Sequence, residues 1–188
     1  MILLTGFGPY SNYTSNISGE IVKKFAFKDG RFQITREILP VNWERSIIKY
    51  KSCLSTLALE PELIILLGIH SNRNFHLEKL GWNFKFGEDT ENKFGFGPIR
   101  LTSTPWIKTT LNLDKVYRNL KDRRKISISY FPGFYLCNYL YYLALYLSRK
   151  KYPVIFIHVP DKGDILEYIN KFKMIFQTII RTHFEEKL

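Results

Sequence analysis

Three stretches of the chain are apolar almost throughout: Ile2-Leu3-Leu4-Thr5, Leu63 to Leu67 ending at Gly68, and Val154 to Val159 ending at Pro160. Such runs suit strands covered on both faces, as in a parallel sheet. Arg31 to Pro40 and Lys125 to Tyr130 alternate more, which predicts strands nearer an edge. Helical spacing fills the intervals. Ser18 to Phe27 has Ser18 as a candidate cap and Glu20 in the first turn. Asn42 to Leu57 carries Ile47, Ile48 and Leu54 on one side. Leu113 to Leu120 starts at Asn112, and Phe134 to Ser148 follows the break Pro132-Gly133. Asp164 to Phe184 repeats Ile165, Ile169, Phe172, Phe176, Ile179 and Ile180 at helical intervals. Strands alternating with helices predict an α/β fold with a mainly parallel sheet. Gly81 to Thr110 lacks periodicity and reads as a long excursion of loops with a hairpin, a kind of segment that often serves function or assembly.

Composition narrows the class. The 188 residues are 45% apolar and 24% charged, ordinary values for a globular domain, and no linker or repeat divides them, so residues 1–188 are expected to form one domain. Two cysteines, Cys53 and Cys137, exclude a disulfide framework. The opening has no basic n-region and apolar stretch of a signal peptide, and Phe134 to Leu147 is too short to span a membrane, so a cytoplasmic protein is expected. Lys and Arg number 28 against 17 Asp and Glu, a net charge of +11. The basic clusters Lys121 to Lys125 and Arg149 to Lys151 lie between a helix and a strand, where solvated charge is expected anyway. No zinc spacing, RNA-binding signature or helix-turn-helix accompanies them, which argues against nucleic acid as the partner.

In parallel α/β sheets, ligands sit beyond the carboxyl ends of strands. That rule directs attention to Gly6-Phe7-Gly8-Pro9-Tyr10, to Gly68 through Glu78, to Pro132-Gly133 and to His158. Cys137 falls in the first turn of its helix, where the positive helix end favours a thiolate. A lone cysteine is more often a small buried hydrophobe, and Cys53 fits that description. His158 interrupts a run of Val, Ile and Phe and needs a partner there. A Cys/His pair is then reasonable, and Glu78 is the residue type that would orient the histidine. His70 and His76 lie near Glu78 without metal-ligand spacing. Thr5-Gly6-Phe7-Gly8-Pro9 lacks the third glycine and the lysine of a phosphate cradle.

Four blocks carry a resemblance that covers most of the chain. They are Thr5-Gly6-Phe7-Gly8-Pro9-Tyr10 with the later Asn16; Ile38-Leu39-Pro40-Val41; Glu78-Lys79-Leu80-Gly81-Trp82-Asn83; and Gly133-Phe134-Tyr135-Leu136-Cys137-Asn138-Tyr139 followed by Tyr152-Pro153 and Phe156-Ile157-His158-Val159-Pro160. In order and spacing the sequence resembles the pyrrolidone carboxyl peptidases (pyroglutamyl peptidase I), a cytosolic family of cysteine peptidases. The resemblance implies a single three-layer α/β/α sandwich with a mainly parallel, mixed central sheet. It implies Cys137 as nucleophile, His158 as base and Glu78 as the group that orients the histidine. It also implies Phe7, Tyr10 and Asn16 around a bound pyroglutamyl ring, no metal or organic cofactor, and a homodimer or homotetramer.

The chain departs from the family pattern at several places. Gly8 stands for an acidic residue, Ser11-Asn12 for two glycines, Ile17 for a proline, and Tyr130-Phe131-Pro132 for Asn-Ser-Ala. The expected activity is removal of an N-terminal pyroglutamyl residue from peptides through an acyl-enzyme. The rival expectation, drawn from the altered loops and the basic surface, is a catalytically weak relative that serves as a binding or assembly protein.

Overall fold

The computed structural model describes residues 1–10, 14–27 and 30–184. Ser11 and Asn12, noted above for replacing glycines, lie outside the described residues. The chain runs β1 (Ile2–Phe7), α1 (Ile17–Lys24), β2 (Ile34–Leu39), α2 (Trp43–Thr56), β3 (Leu63–His70), β4 (Phe75–Glu78), β5 (Leu80–Trp82), β6 (Lys85–Glu88), β7 (Phe94–Gly97), β8 (Trp106–Lys108), α3 (Leu113–Asn119), β9 (Ile126–Ser129), α4 (Leu136–Ser148), β10 (Val154–Pro160) and α5 (Ile165–Phe184). Six strands form one sheet in the order β2-β1-β3-β10-β4-β9. All neighbours are parallel except β10 and β4, so the sheet is mixed and mainly parallel, as expected.

Side-chain alternation divides the sheet into two cores. Ile2, Leu4, Ile65, Leu67, Ile155 and Ile157 pack with Ile21, Val116, Phe172 and Phe176 of α1, α3 and α5. Leu3, Ile64, Leu66, Val154 and Phe156 pack with Trp43, Tyr50, Leu140 and Tyr141 of α2 and α4. Both sets are almost wholly buried. A strand reverses its facing at each residue. The same parity turns Gly68, His70, His76, Glu78 and His158 toward the α4 side.

Several expectations need correction. The first helix begins at Ile17 with Asn16 as its cap, not Ser18, and ends at Lys24 rather than Phe27. Helix α4 begins at Leu136, two residues later than Phe134. Ile48, assigned to the inner side of α2, is 64% exposed. The Leu63 run does not stop at Gly68 but continues to His70. Strand β4 had no sequence signal of its own, because four residues are too few to establish a period. The excursion from Gly81 to Thr110 contains two small pairings, β5 with β8 and β6 with β7.

The β6–β7 hairpin has unusual polarity. Phe86, Phe94 and Phe96 face solvent at 52%, 62% and 70% exposure, while Gly95 and Gly97 are buried. The glycines have a steric reason. A Cβ on Gly95 would meet the Trp43 indole at 2.7 Å, and one on Gly87 the Tyr135 ring at 2.8 Å. Bare backbone thus lets two aromatic rings lie against the hairpin beside the start of α4.

Candidate active site

His158 is the fifth residue of β10 and is 4% exposed. Its Nδ1 lies 2.8 Å from Oε1 of Glu78, which has no exposed surface. Glu78 comes from β4, the strand that runs against β10. In that ladder Phe156 lies opposite Glu78 and His158 opposite His76, so the carboxylate reaches the imidazole diagonally. The strand-end rule therefore pointed to residues that the sheet brings together, although the end of β4 points opposite to that of β10. Oε2 of Glu78 has no hydrogen-bond partner among the described residues.

Cys137 is the second residue of α4 and is partly exposed. It lies within hydrogen-bonding reach of the imidazole. Burial alone would push the His158 imidazolium down, but the charge and hydrogen bonding of Cys137, and then those of Glu78, carry it up to about 9. Gly68 makes room for the sulfur. A Cβ there would lie 2.8 Å from Cys137 Sγ and 2.6 Å from Phe156 Cζ. From sequence, Gly68 is a strand terminator and the start of a candidate segment, and its lack of a side chain is the signal that could have marked its role beside the sulfur.

Helix α4 holds the parts together. Tyr141, one turn after Cys137, donates its hydroxyl hydrogen to the Glu78 carbonyl at 2.8 Å. Asn138 is fully buried; its Oδ1 accepts from Trp82 N, and its Nδ2 donates to the Trp82 and Phe84 carbonyls, each at 2.8 Å. The cap residue Tyr135 makes no side-chain cap bond. Amides of a helix's first turn have no acceptor within the helix, which leaves donors facing the thiol's neighbourhood.

Beside Cys137 is a slot of about 40 Å³ lined by Phe7, Tyr10, Asn16, Val41, Ile69, Tyr135 and Leu136. All three residues expected at a ring pocket are therefore present in one cavity with the thiol. Val41, Ile69, Tyr135 and Leu136 were not expected there; Tyr135 and Leu136 stand directly before the cysteine. A larger cavity of about 470 Å³ adjoins the slot through Tyr10 and Tyr135. Tyr135 donates its hydroxyl hydrogen to the Glu88 carbonyl at 2.7 Å and packs edge-on to Trp43 at 5.5 Å, which fixes this wall. The amide of Asn16 is heavily engaged. Its Oδ1 accepts from Ser18 N at 3.0 Å and Ser18 Oγ at 2.7 Å, and its Nδ2 donates to Gly8 O at 3.1 Å.

A thiol beside an imidazole that a carboxylate orients is a constellation for nucleophilic attack on a carbonyl carbon. Among the described residues, no group of three or more His, Cys, Asp and Glu is placed to hold a metal ion, and no helix is long and apolar enough to cross a membrane.

Comparison with known proteins agrees with the fold. The pyrrolidone carboxyl peptidase structure from Thermococcus litoralis superposes with a TM-score of 0.87 at 24% identity, covering 100% of this chain and 96% of that one. The E192A mutant of the Pyrococcus furiosus enzyme gives 0.86 at 25% identity, covering 100% and 99%. In sequence, the pyrrolidone-carboxylate peptidase of Thermococcus litoralis is 30% identical over 184 residues, which cover 93% of this chain and 81% of the relative. The Pyrococcus furiosus relative is 29% identical over 168 residues, covering 85% and 80%. The profile of the pyroglutamyl peptidases matches residues 1–182, nearly the whole chain, and with these relatives and this fold the chain belongs to the pyroglutamyl peptidase family of hydrolases.

Proposed function

We propose that this chain is a cysteine exopeptidase that removes an N-terminal pyroglutamyl residue from peptides, with Cys137 as nucleophile, His158 as acid and base, and Glu78 orienting the imidazole. The observation that carries the reading is the buried 2.8 Å contact between His158 and Glu78, formed beside a thiol that opens on an apolar slot. Pyroglutamate is a small neutral lactam. An apolar slot with a few polar groups suits it better than a charged pocket would.

In the resting pair the Cys137 proton lies on His158, and the thiolate so formed attacks the pyroglutamyl carbonyl carbon. The carbonyl π pair moves to oxygen, where first-turn amides of α4 would receive it. The tetrahedral intermediate collapses, the C–N bond breaks, and His158 returns its proton to the leaving amine. A water molecule then gives a proton to His158 and attacks the thioester; the thiolate leaves, and the acid product is freed. Glu78 stays ionised and stabilises the imidazolium.

Phe7 and Tyr10 would flank the ring. Asn16 would contribute through the one amide hydrogen that Gly8 does not take. One domain, a homo-oligomer and a cytoplasmic site of action complete the proposal. The test is release of aminomethylcoumarin from its pyroglutamyl derivative, with the prolyl and glutaminyl derivatives as comparison. Turnover of the pyroglutamyl compound with little of the others is expected. Preference for the prolyl compound would show that the lactam carbonyl is not read. No turnover of any of the three would favour the binding or assembly role.

A further inference from the structure

His158 has two imidazole neighbours that the reaction above does not use. His70, the last residue of β3, lies against the His158 ring with centroids 5.0 Å apart and planes 28° apart. His76 meets the His70 ring edge-on at 4.4 Å. The chain of rings then returns to the carboxylate, because His76 Nδ1 is 3.9 Å from the Oε1 that binds His158. Three imidazoles and one carboxylate thus form a closed cluster. Its members come from three adjacent strands, and their parity places all of them on the α4 side of the sheet.

His70 is anchored. Its Nε2 is 2.8 Å from the Asn74 carbonyl, which can only accept, so this nitrogen carries the hydrogen. In the neutral ring Nδ1 is then bare. The anchor fixes one edge of the ring and leaves its face against His158. A proton on His70 would set two cations face to face. Burial, and then His158, hold its proton affinity down to about 4, so the plate is uncharged at neutral pH. His76 is likewise held below its ordinary value, first by burial.

We propose that His70 is a positioning residue: a neutral, anchored plate that fixes the plane of the His158 ring so that Nδ1 meets Glu78 and the opposite nitrogen faces Cys137, with His76 bracing the plate from its far edge. A hydrogen bond to Glu78 defines a line but leaves the ring a rotation about it. Contact with a flat face removes that rotation. Phe156, at 4.8 Å from His158 and tilted by 54°, bounds the ring without lying parallel to it. Orientation matters to catalysis because small misplacements of reacting groups have large rate effects.

The inference rests on Cys137 and His158 acting as a pair, and its test separates the two questions. Turnover of pyroglutamyl-aminomethylcoumarin and the rate of Cys137 alkylation by iodoacetamide, followed by mass spectrometry at pH 7.5, are measured in the wild type, His70→Ala and His70→Phe. The expectation is that His70→Ala lowers kcat at least fivefold with KM within twofold of wild type, and slows alkylation at least threefold. His70→Phe restores a flat, uncharged ring and is at least threefold faster than His70→Ala in both assays. A smaller loss in His70→Ala, a loss expressed mainly in KM, or a Phe variant no better than Ala overturns the proposal. If His70→Ala fails to fold, His76→Ala replaces it: alkylation at least twofold slower than wild type supports the brace, and a smaller change overturns it. If the wild type turns over no pyroglutamyl substrate, the functional reading fails, while the alkylation comparison still decides the role of His70.

Discussion

Tyr141 and Glu78, neither with any exposed surface, are joined by a 2.8 Å hydrogen bond from the phenol to the backbone carbonyl. The bond ties the helix that bears Cys137 to the strand that bears the carboxylate. Tyr141 follows Cys137 by four residues, so both lie on one face of α4. Tyr141→Phe leaves a buried carbonyl without its donor, a loss of about 1–3 kcal/mol. Urea denaturation should show a lower midpoint with an unchanged slope. If the bond sets the distance between the thiol and the His158–Glu78 pair, kcat should fall several-fold with KM little changed.

Cys137→Ala should abolish turnover and leave the folded state intact, since one small side chain replaces another. Cys53, partly buried on α2 against the second core, should tolerate alanine with full activity. Loss of activity in Cys53→Ala, or retained activity in Cys137→Ala, would refute the assignment of the nucleophile.

Gly68→Ala tests how closely the sulfur is housed. The added methyl would overlap Cys137 Sγ and the Phe156 ring. Overpacking of this kind costs about 1–3 kcal/mol, and a thiol displaced by 1 Å is expected to lose about 10²-fold in rate. Thermal unfolding and kcat/KM measured on the same preparation check both expectations.

Asn16→Ala should lower stability as well as kcat/KM, because Asn16 caps α1 and ties it to Gly8. Loss of such a cap costs about 0.5–2 kcal/mol. Asn16→Asp keeps the acceptor toward Ser18 but loses the donor. It should regain most of the stability without regaining kcat/KM. Recovery of both would show that the slot does not use the Asn16 donor.

Alkaline pH should weaken the fold through His158. Its folded-state pKa, about 9, lies above the ordinary 6.5, so the folded state holds a proton that the unfolded state releases first. The stabilisation is therefore complete below pH 6.5 and is lost as pH rises through about 9. Activity should decline over the same upper range, as the imidazolium that protonates the leaving amine disappears. Cys137→Ala removes the largest raising influence, so its melting temperature should fall less steeply between pH 7 and 9.5. An equal slope would place the alkaline loss elsewhere.

The elements with long patterns were legible in the sequence: the three apolar strands, α5 with its seam of Ile and Phe, and α2 from its start near Asn42. Caps that depend on a few atoms were less so. Ser18 and Asn16 are both cap formers, and which of them caps depends on where the chain turns after β1. Strand β4 could not be read, since Phe75 to Glu78 matches any short half-buried segment. Cys137 and His158 stood out by residue type and place, and the four blocks of family resemblance brought Glu78 to them. The lesser parts of the site are relational and have no such mark. Gly68 matters because of Cys137, Tyr141 because of Glu78, and His70 because of His158.

The antiparallel insertion of β4 also sets the order in which this protein can be completed. Glu78 lies 80 residues before His158, and β4 is held in the sheet on one side by β10, the last strand among the described residues. At a synthesis rate of about 5–20 residues per second, roughly 4 to 16 s separate the making of the carboxylate from that of its imidazole partner. Until β10 enters between β3 and β4, the sheet is two separate pieces, β2-β1-β3 and β4-β9. The strand that brings His158 to Glu78 is therefore also the strand that joins the two pieces, so the pair can form only after β10 has been made.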